Sequence, residues 1–128
     1  ISLIPDEERR TQCRTNMIVE SNEPVFNQTF SVEMLPGDNN KRLLISMWHR
    51  NLHTERSSLM GCMTFRVKKL IESDKMIDGW YFLLTAQVGR HKHLAANRVN
   101  MLTYYGSVDS ELGSQGVSQS NFTRLGWI

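Results

Sequence analysis

Apolar and polar positions alternate through most of the first 84 residues, the period-two pattern of strands that turn one face to a core. Ile1-Ser2-Leu3-Ile4 reads as a short strand ended by Pro5-Asp6, and Glu7, Glu8, Arg9 and Arg10 read as a solvated turn. From Arg14 to Glu20, Met17 and Val19 fall on one side of a predicted strand, with Asn16, Ile18 and Glu20 on the other. Glu23-Pro24 breaks it, because proline restricts the residue before it and lacks the N–H that a ladder needs. Phe26, Phe30, Val32 and Met34 resume the period, interrupted by Gln28, and Pro36-Gly37-Asp38-Asn39-Asn40 is a strong turn cluster, so a hairpin is predicted here.

Leu43, Ile45 and Met47 alternate with Leu44, Ser46 and Trp48. A strand apolar on both faces belongs in the middle of a sheet. Asn51 to Ser58 reads as a loop, followed by a strand in which Met63, Phe65 and Val67 alternate with Thr64 and Arg66. Lys68 to Met76 reads as a short helical or irregular crossover, and Gly79-Trp80-Tyr81-Phe82-Leu83-Leu84 as an aromatic, branched strand with glycine as its hinge. Six strands are expected up to Leu84. Arg98 to Tyr105 could form one more, and residues 107–120, rich in Ser, Gly and Gln, read as a disordered C-terminal tail.

Composition narrows the function classes. A chain of 128 residues, 40% hydrophobic and 22% charged, fits one globular domain. The net charge of +2 is too small for a nucleic-acid groove, which needs a dense basic stripe. Two cysteines, Cys13 and Cys62, do not make a secreted disulfide scaffold, and a reducing compartment is expected. No apolar run approaches the roughly 20 residues that span a bilayer, and the first residues lack a signal-peptide layout. The chain starts at Ile1, inside a strand pattern, so a piece of a longer protein is expected.

The strings Ile1-Ser2-Leu3-Ile4-Pro5-Asp6, Lys41-Arg42-Leu43-Leu44, Leu59-Met60-Gly61-Cys62-Met63 and Gly79-Trp80-Tyr81 carry a family resemblance by their order and spacing. So does the passage from Asn22 through Trp48 to Met60-Gly61. The chain resembles a C2 domain, in its closest form that of the C2-bearing regulators of G-protein signalling. The resemblance runs from Ile1 to about His93 and implies an all-β protein, a C2-like antiparallel β-sandwich. It further implies that this chain lacks its first two strands, with the sandwich in residues 1–94 and a poorly ordered tail or linker in 95–128.

Calcium-binding members of that family hold the cation with several carboxylates, because Ca2+ takes six to eight oxygen ligands. The corresponding positions carry His49, Asn51 and Ser58, and the loop's one acid is Glu55. These side chains cannot supply the charge, so neither a calcium requirement nor any metal or other cofactor is expected. What the resemblance leaves is binding to an anionic phospholipid surface independently of calcium. Arg10, Gln12 and Arg14 alternate onto one side of the strand expected to enter the hairpin, and Arg50 and Arg56 add charge to the loop beside Leu52. Basic groups beside an apolar one suit anionic lipid, each charge being worth about 1 kcal/mol. The competing readings are a merely solvated face and a protein-interaction scaffold in G-protein signalling.

The pairs His49 with His53 and His91 with His93 lack zinc-site company and read as polar-loop histidines. The aromatics Trp48, Trp80, Tyr81 and Phe82 read as packing. No nucleophile-elbow, phosphate-loop or zinc motif is present, so the chain is expected not to be an enzyme. It is read as a monomeric targeting module, cytoplasmic and peripheral at the membrane.

Overall fold

The computed structural model describes residues 1–97 and the backbone of a strand at Phe122–Leu125. The elements in chain order are β1 (Ser2–Ile4), β2 (Arg42–Arg50), β3 (Ser57–Arg66), α1 (Val67–Glu72), β4 (Gly79–Phe82), a helical turn α2 (Ala86–Gly89) and β5 (Phe122–Leu125). One sheet has the order β1-β2-β3, and the second pairs β4 with β5; both are antiparallel. As the apolar residues on both its faces require, β2 is the central strand of the first sheet.

The register Leu3↔Leu43 and Leu43↔Phe65 lines up core side chains across three strands. Leu3, Leu43 and Val67 form one buried cluster, and Met63, Phe65 and Tyr81 a second that joins the two sheets. Phe65 meets the Tyr81 ring edge-on at 5.4 Å and stacks on His93 at 4.2 Å. The middle of β3 is buried on both faces. Cys62 and Thr64, which point away from Met63 and Phe65, are covered by α2 and by the Arg42 side chain, whose Nε donates to Thr64 Oγ1 at 3.0 Å.

Gly61 is required by packing. A Cβ there would lie 2.7 Å from Leu83 Cβ and 3.0 Å from the Leu83 carbonyl carbon. That close approach lets Cys62 exchange backbone hydrogen bonds with Leu84, 2.9 Å one way and 3.0 Å the other. Beyond the bridge β3 and β4 diverge, and residues 92–96 fill the wedge. Thr64 N–H donates to Lys92 O, Phe82 N–H to Leu94 O, and Ala96 N–H to Trp80 O.

Several expectations are corrected. Residues 14–20 and 26–34 form no strand and no hairpin. Their alternation shows which side chains could share a face, but no neighbouring strand takes up the backbone groups. Nearly every residue from 14 to 31 is exposed or half-buried, left-handed φ values at Glu20 (55°) and Asn27 (45°) interrupt the extended path, and Asn16 N–H donates to the side chain of Gln28. Four strands rather than six therefore occur up to Leu84. The loop expected to end at Ser58 closes two residues earlier, because β3 already starts at Ser57. Backbone pairing continues past Leu94, where Tyr81 bridges Ala95 and Ala96 N–H donates to Trp80 O, and β5 lies within residues 95–128. The possible strand at Arg98 to Tyr105 lies outside the described residues.

Candidate functional site

The long β2–β3 hairpin carries two chemically distinct ends. At its tip Arg50 pairs with Ser57, and Asn51 N–H donates to Arg56 O at 2.9 Å, closing a loop over residues 51–56. The side chain of Asn51 shapes that loop: its Oδ1 accepts from His53 N–H at 2.9 Å and Thr54 N–H at 3.0 Å, the Asx turn for which asparagine is suited. Glu55 takes a left-handed φ of 54° and turns the chain back.

Three large apolar side chains stand out from this tip: Trp48 is 57% exposed, Leu52 57% and Met60 44%. Trp48, expected to be packing, is therefore a surface residue. The ladder shifts register between Met47 and Trp48, and the indole Nε1–H of Trp48 donates to Ser46 Oγ at 3.0 Å. Arg50 and Arg56 are exposed beside these apolar groups. Of the three positions expected to correspond to a calcium loop, His49 lies opposite Ser58 in the ladder and Asn51 follows one residue past Arg50. What they offer a hard cation is an imidazole, a hydroxyl and an amide oxygen already occupied by the turn, with Glu55 the one carboxylate of the loop. Among the described residues no cluster of three His, Cys, Asp or Glu could hold a metal.

At the opposite end lies Asp38, which is buried in the turn before β2. Its carboxylate accepts from Leu35 N–H at 2.8 Å and pairs with Arg10 Nη2 at 2.6 Å and Lys41 Nζ at 3.0 Å. The Leu35 amide, followed by the Lys41 and Arg10 cations, holds its pKa down at about 2. Arg10 also donates to Glu33 O. Nearby, Asp6 accepts from the Thr11 hydroxyl at 2.7 Å, and that hydrogen bond is the main cause of its lowered pKa. Thr11 Oγ1 in turn accepts from Leu3 N–H at 2.8 Å, pinning residues 11–13 along the edge of β1.

The five basic and apolar residues singled out in the sequence thus do not form one face. Arg50, Leu52 and Arg56 share the hairpin tip, while Arg10 is committed to Asp38 at the other end and does not stand free beside Arg14. Arg14 is exposed just past Cys13, which pairs with Ile1. His93 is not a loose loop histidine either. Its Nδ1 lies 2.9 Å from Thr64 O, and since a carbonyl only accepts, Nδ1 carries the proton. Cys62 is buried, which raises its pKa and disfavours the thiolate a reactive cysteine needs.

A model of the C2 domain matches residues 1–83. The chain belongs to the C2 domain family. This C2 domain is also similar to the eye isozyme of protein kinase C from Drosophila melanogaster, 36% identical over 94 residues, which is 73% of this chain and 13% of the relative. The chain therefore corresponds to a small part of that protein's length. The narrower likeness to C2-bearing regulators of G-protein signalling gains no support from these comparisons and rests on the four sequence strings. C2 domains are membrane- or protein-interaction modules of signalling proteins such as protein kinase C, and among the described residues no helix is long and apolar enough to cross a membrane.

Proposed function

We propose that this C2 domain places a larger signalling protein on anionic membrane through the β2–β3 hairpin tip, without calcium. The observation that carries this reading is the exposure of Leu52 between Arg50 and Arg56 at the hairpin turn, with Trp48 on β2 and Met60 on β3 also exposed towards the same end of the hairpin. Exposed tryptophan sits well at the headgroup level, and a basic residue near anionic lipid contributes about 1 kcal/mol. Calcium independence is supported by the donor set, with one carboxylate where a calcium loop needs several. In this reading the domain is non-catalytic and peripheral at the cytoplasmic face. The parent protein's own activity, in G-protein signalling or elsewhere, belongs to segments outside this domain.

Co-sedimentation of the chain with phosphatidylserine vesicles at low salt, in excess chelator, tests it. Binding should fall at least tenfold in Arg50→Glu/Arg56→Glu and also in Leu52→Asp, with the melting temperature unchanged. No sedimentation of the wild-type chain, or sedimentation only with added calcium, would refute the reading. The first outcome would favour docking on a protein partner.

A further inference from the structure

The base of the β2–β3 ladder, roughly 26 Å from the tip at the usual strand rise over eight residue steps, carries a cavity of about 310 Å³ lined by Asn39, Asn40, Lys41, Arg42, Arg66 and Lys68. No carboxylate is among the lining residues. Arg42 and Arg66 are directly opposite in the antiparallel register, an arrangement that is unfavourable for like charges. The fold nevertheless holds them there. Arg42 is anchored through Nε on Thr64 Oγ1 at 3.0 Å and through Nη2 on the carbonyl of His91, so its guanidinium cannot swing away from its neighbour. The Arg66 side chain makes no ion pair or hydrogen bond among the described residues, and its charge, after burial, is a cause of the lowered pKa of Arg42.

The nearby acids do not cancel this charge. Asp38 is shared between Arg10 and Lys41, Asp6 is held by the Thr11 hydroxyl and lies within the field of Lys41, and Glu72 reaches Lys68 only at 3.8 Å with both side chains about two-thirds exposed, a weak pair in water. Setting Arg10, Lys41, Arg42, Arg66 and Lys68 against Asp6, Asp38 and Glu72 leaves two positive charges, and no acid lines the cavity itself. Asn39 and Asn40 add neutral donors to the rim. Guanidinium groups held in a fork are suited to phosphate oxygens, and lysine adds point charge.

We propose that this cavity is a second, separate anion site, which takes a ligand bearing clustered phosphate groups. It does not depend on the hairpin tip, so either site can fail without the other. The full chain is titrated calorimetrically with inositol hexakisphosphate, and separately with vesicles containing phosphatidylinositol bisphosphate, in chelator. Saturable binding of the soluble phosphate is expected, weakened at least tenfold in Arg66→Glu/Lys68→Glu and retained in Arg50→Glu/Arg56→Glu. The milder Arg66→Gln/Lys68→Gln, matched to wild type in circular dichroism and melting temperature, should weaken it in the same direction. If the glutamate pair also weakens vesicle binding, the phosphate is read on a lipid headgroup. If vesicle binding is untouched, it is read on a soluble molecule. Absence of phosphate binding, or equal binding by wild type and both base variants, would overturn the proposal.

Discussion

Gly61→Ala tests the close approach on which the β3–β4 junction depends. The added methyl would lie 2.7 Å from Leu83 Cβ, 3.0 Å from Leu83 C and 3.1 Å from Leu84 O. Carbon atoms rest at about 3.5–4.0 Å, so the strands must part by roughly 1 Å. Two of the three obstructing atoms belong to the backbone, which cannot rotate aside as a side chain can. Overpacking of this kind costs about 1–3 kcal/mol, and straining the Cys62–Leu84 hydrogen bonds adds about 1 kcal/mol. Replacing a strand glycine by alanine returns about 0.5–1 kcal/mol. The net loss is about 1–3 kcal/mol, or a fall in Tm of roughly 5–20 °C for a domain of this size. Thermal and urea melts followed by far-UV circular dichroism read it directly. Gly37→Ala is the control, because nothing lies within 4 Å of its Cβ position and the only penalty is its left-handed φ of 97°, about 1–2 kcal/mol. A Gly61→Ala protein as stable as wild type would refute the junction as described.

Phe65→Ala should cost about 3–5 kcal/mol, because it removes the ring that contacts both Tyr81 and His93 and leaves a void between the sheets; urea melts showing less than about 1 kcal/mol would contradict that packing. Asp38 predicts the acid limit of stability. Its folded-state pKa of about 2 lies below the ordinary 3.8, so its contribution is complete above about pH 3.8 and is lost as pH falls towards 2. Asp6, also lowered, acts in the same direction. Melts from pH 6 to 2 should hold steady to about pH 4 and then decline, while Asp38→Asn should already be weaker at pH 6 and decline less steeply. Identical pH profiles for the two proteins would dismiss the Arg10–Asp38–Lys41 cluster.

The sequence was most readable where burial and periodicity coincide. Leu43 to Trp48 marked the central strand, Met63 and Phe65 marked the inner face of β3, and Gly79 to Phe82 marked β4, because each run packs against neighbours that its own pattern anticipates. Residues 14–34 misled for the opposite reason. Their alternation was equally clear, yet a strand exists only where another backbone accepts its hydrogen bonds, and local pattern carries no information about that. The tip was half legible. Arg50, Leu52 and Arg56 are close in sequence and stay together, whereas Trp48 continues an alternation that reads as core and yet is exposed, beside a register shift that no sequence pattern marks. Arg10 paired unexpectedly because its partner Asp38 is 28 residues away. The pairing of Arg42 with Arg66 has no sequence signal, because only the hairpin register sets them opposite each other. His93 looked like a loop residue, and it became part of the core edge through the wedge of residues 92–96, which no motif announces.

If the hairpin tip enters anionic membrane without calcium, Trp48 is its natural reporter. With Trp80→Phe and Trp127→Phe, Trp48 is the one tryptophan left in the chain. On addition of phosphatidylserine vesicles in excess chelator, its emission should shift to the blue, and Arg50→Glu/Arg56→Glu should abolish the shift. Emission unchanged by vesicles, or shifted only when calcium is restored, would show that the tip does not enter the membrane in this way.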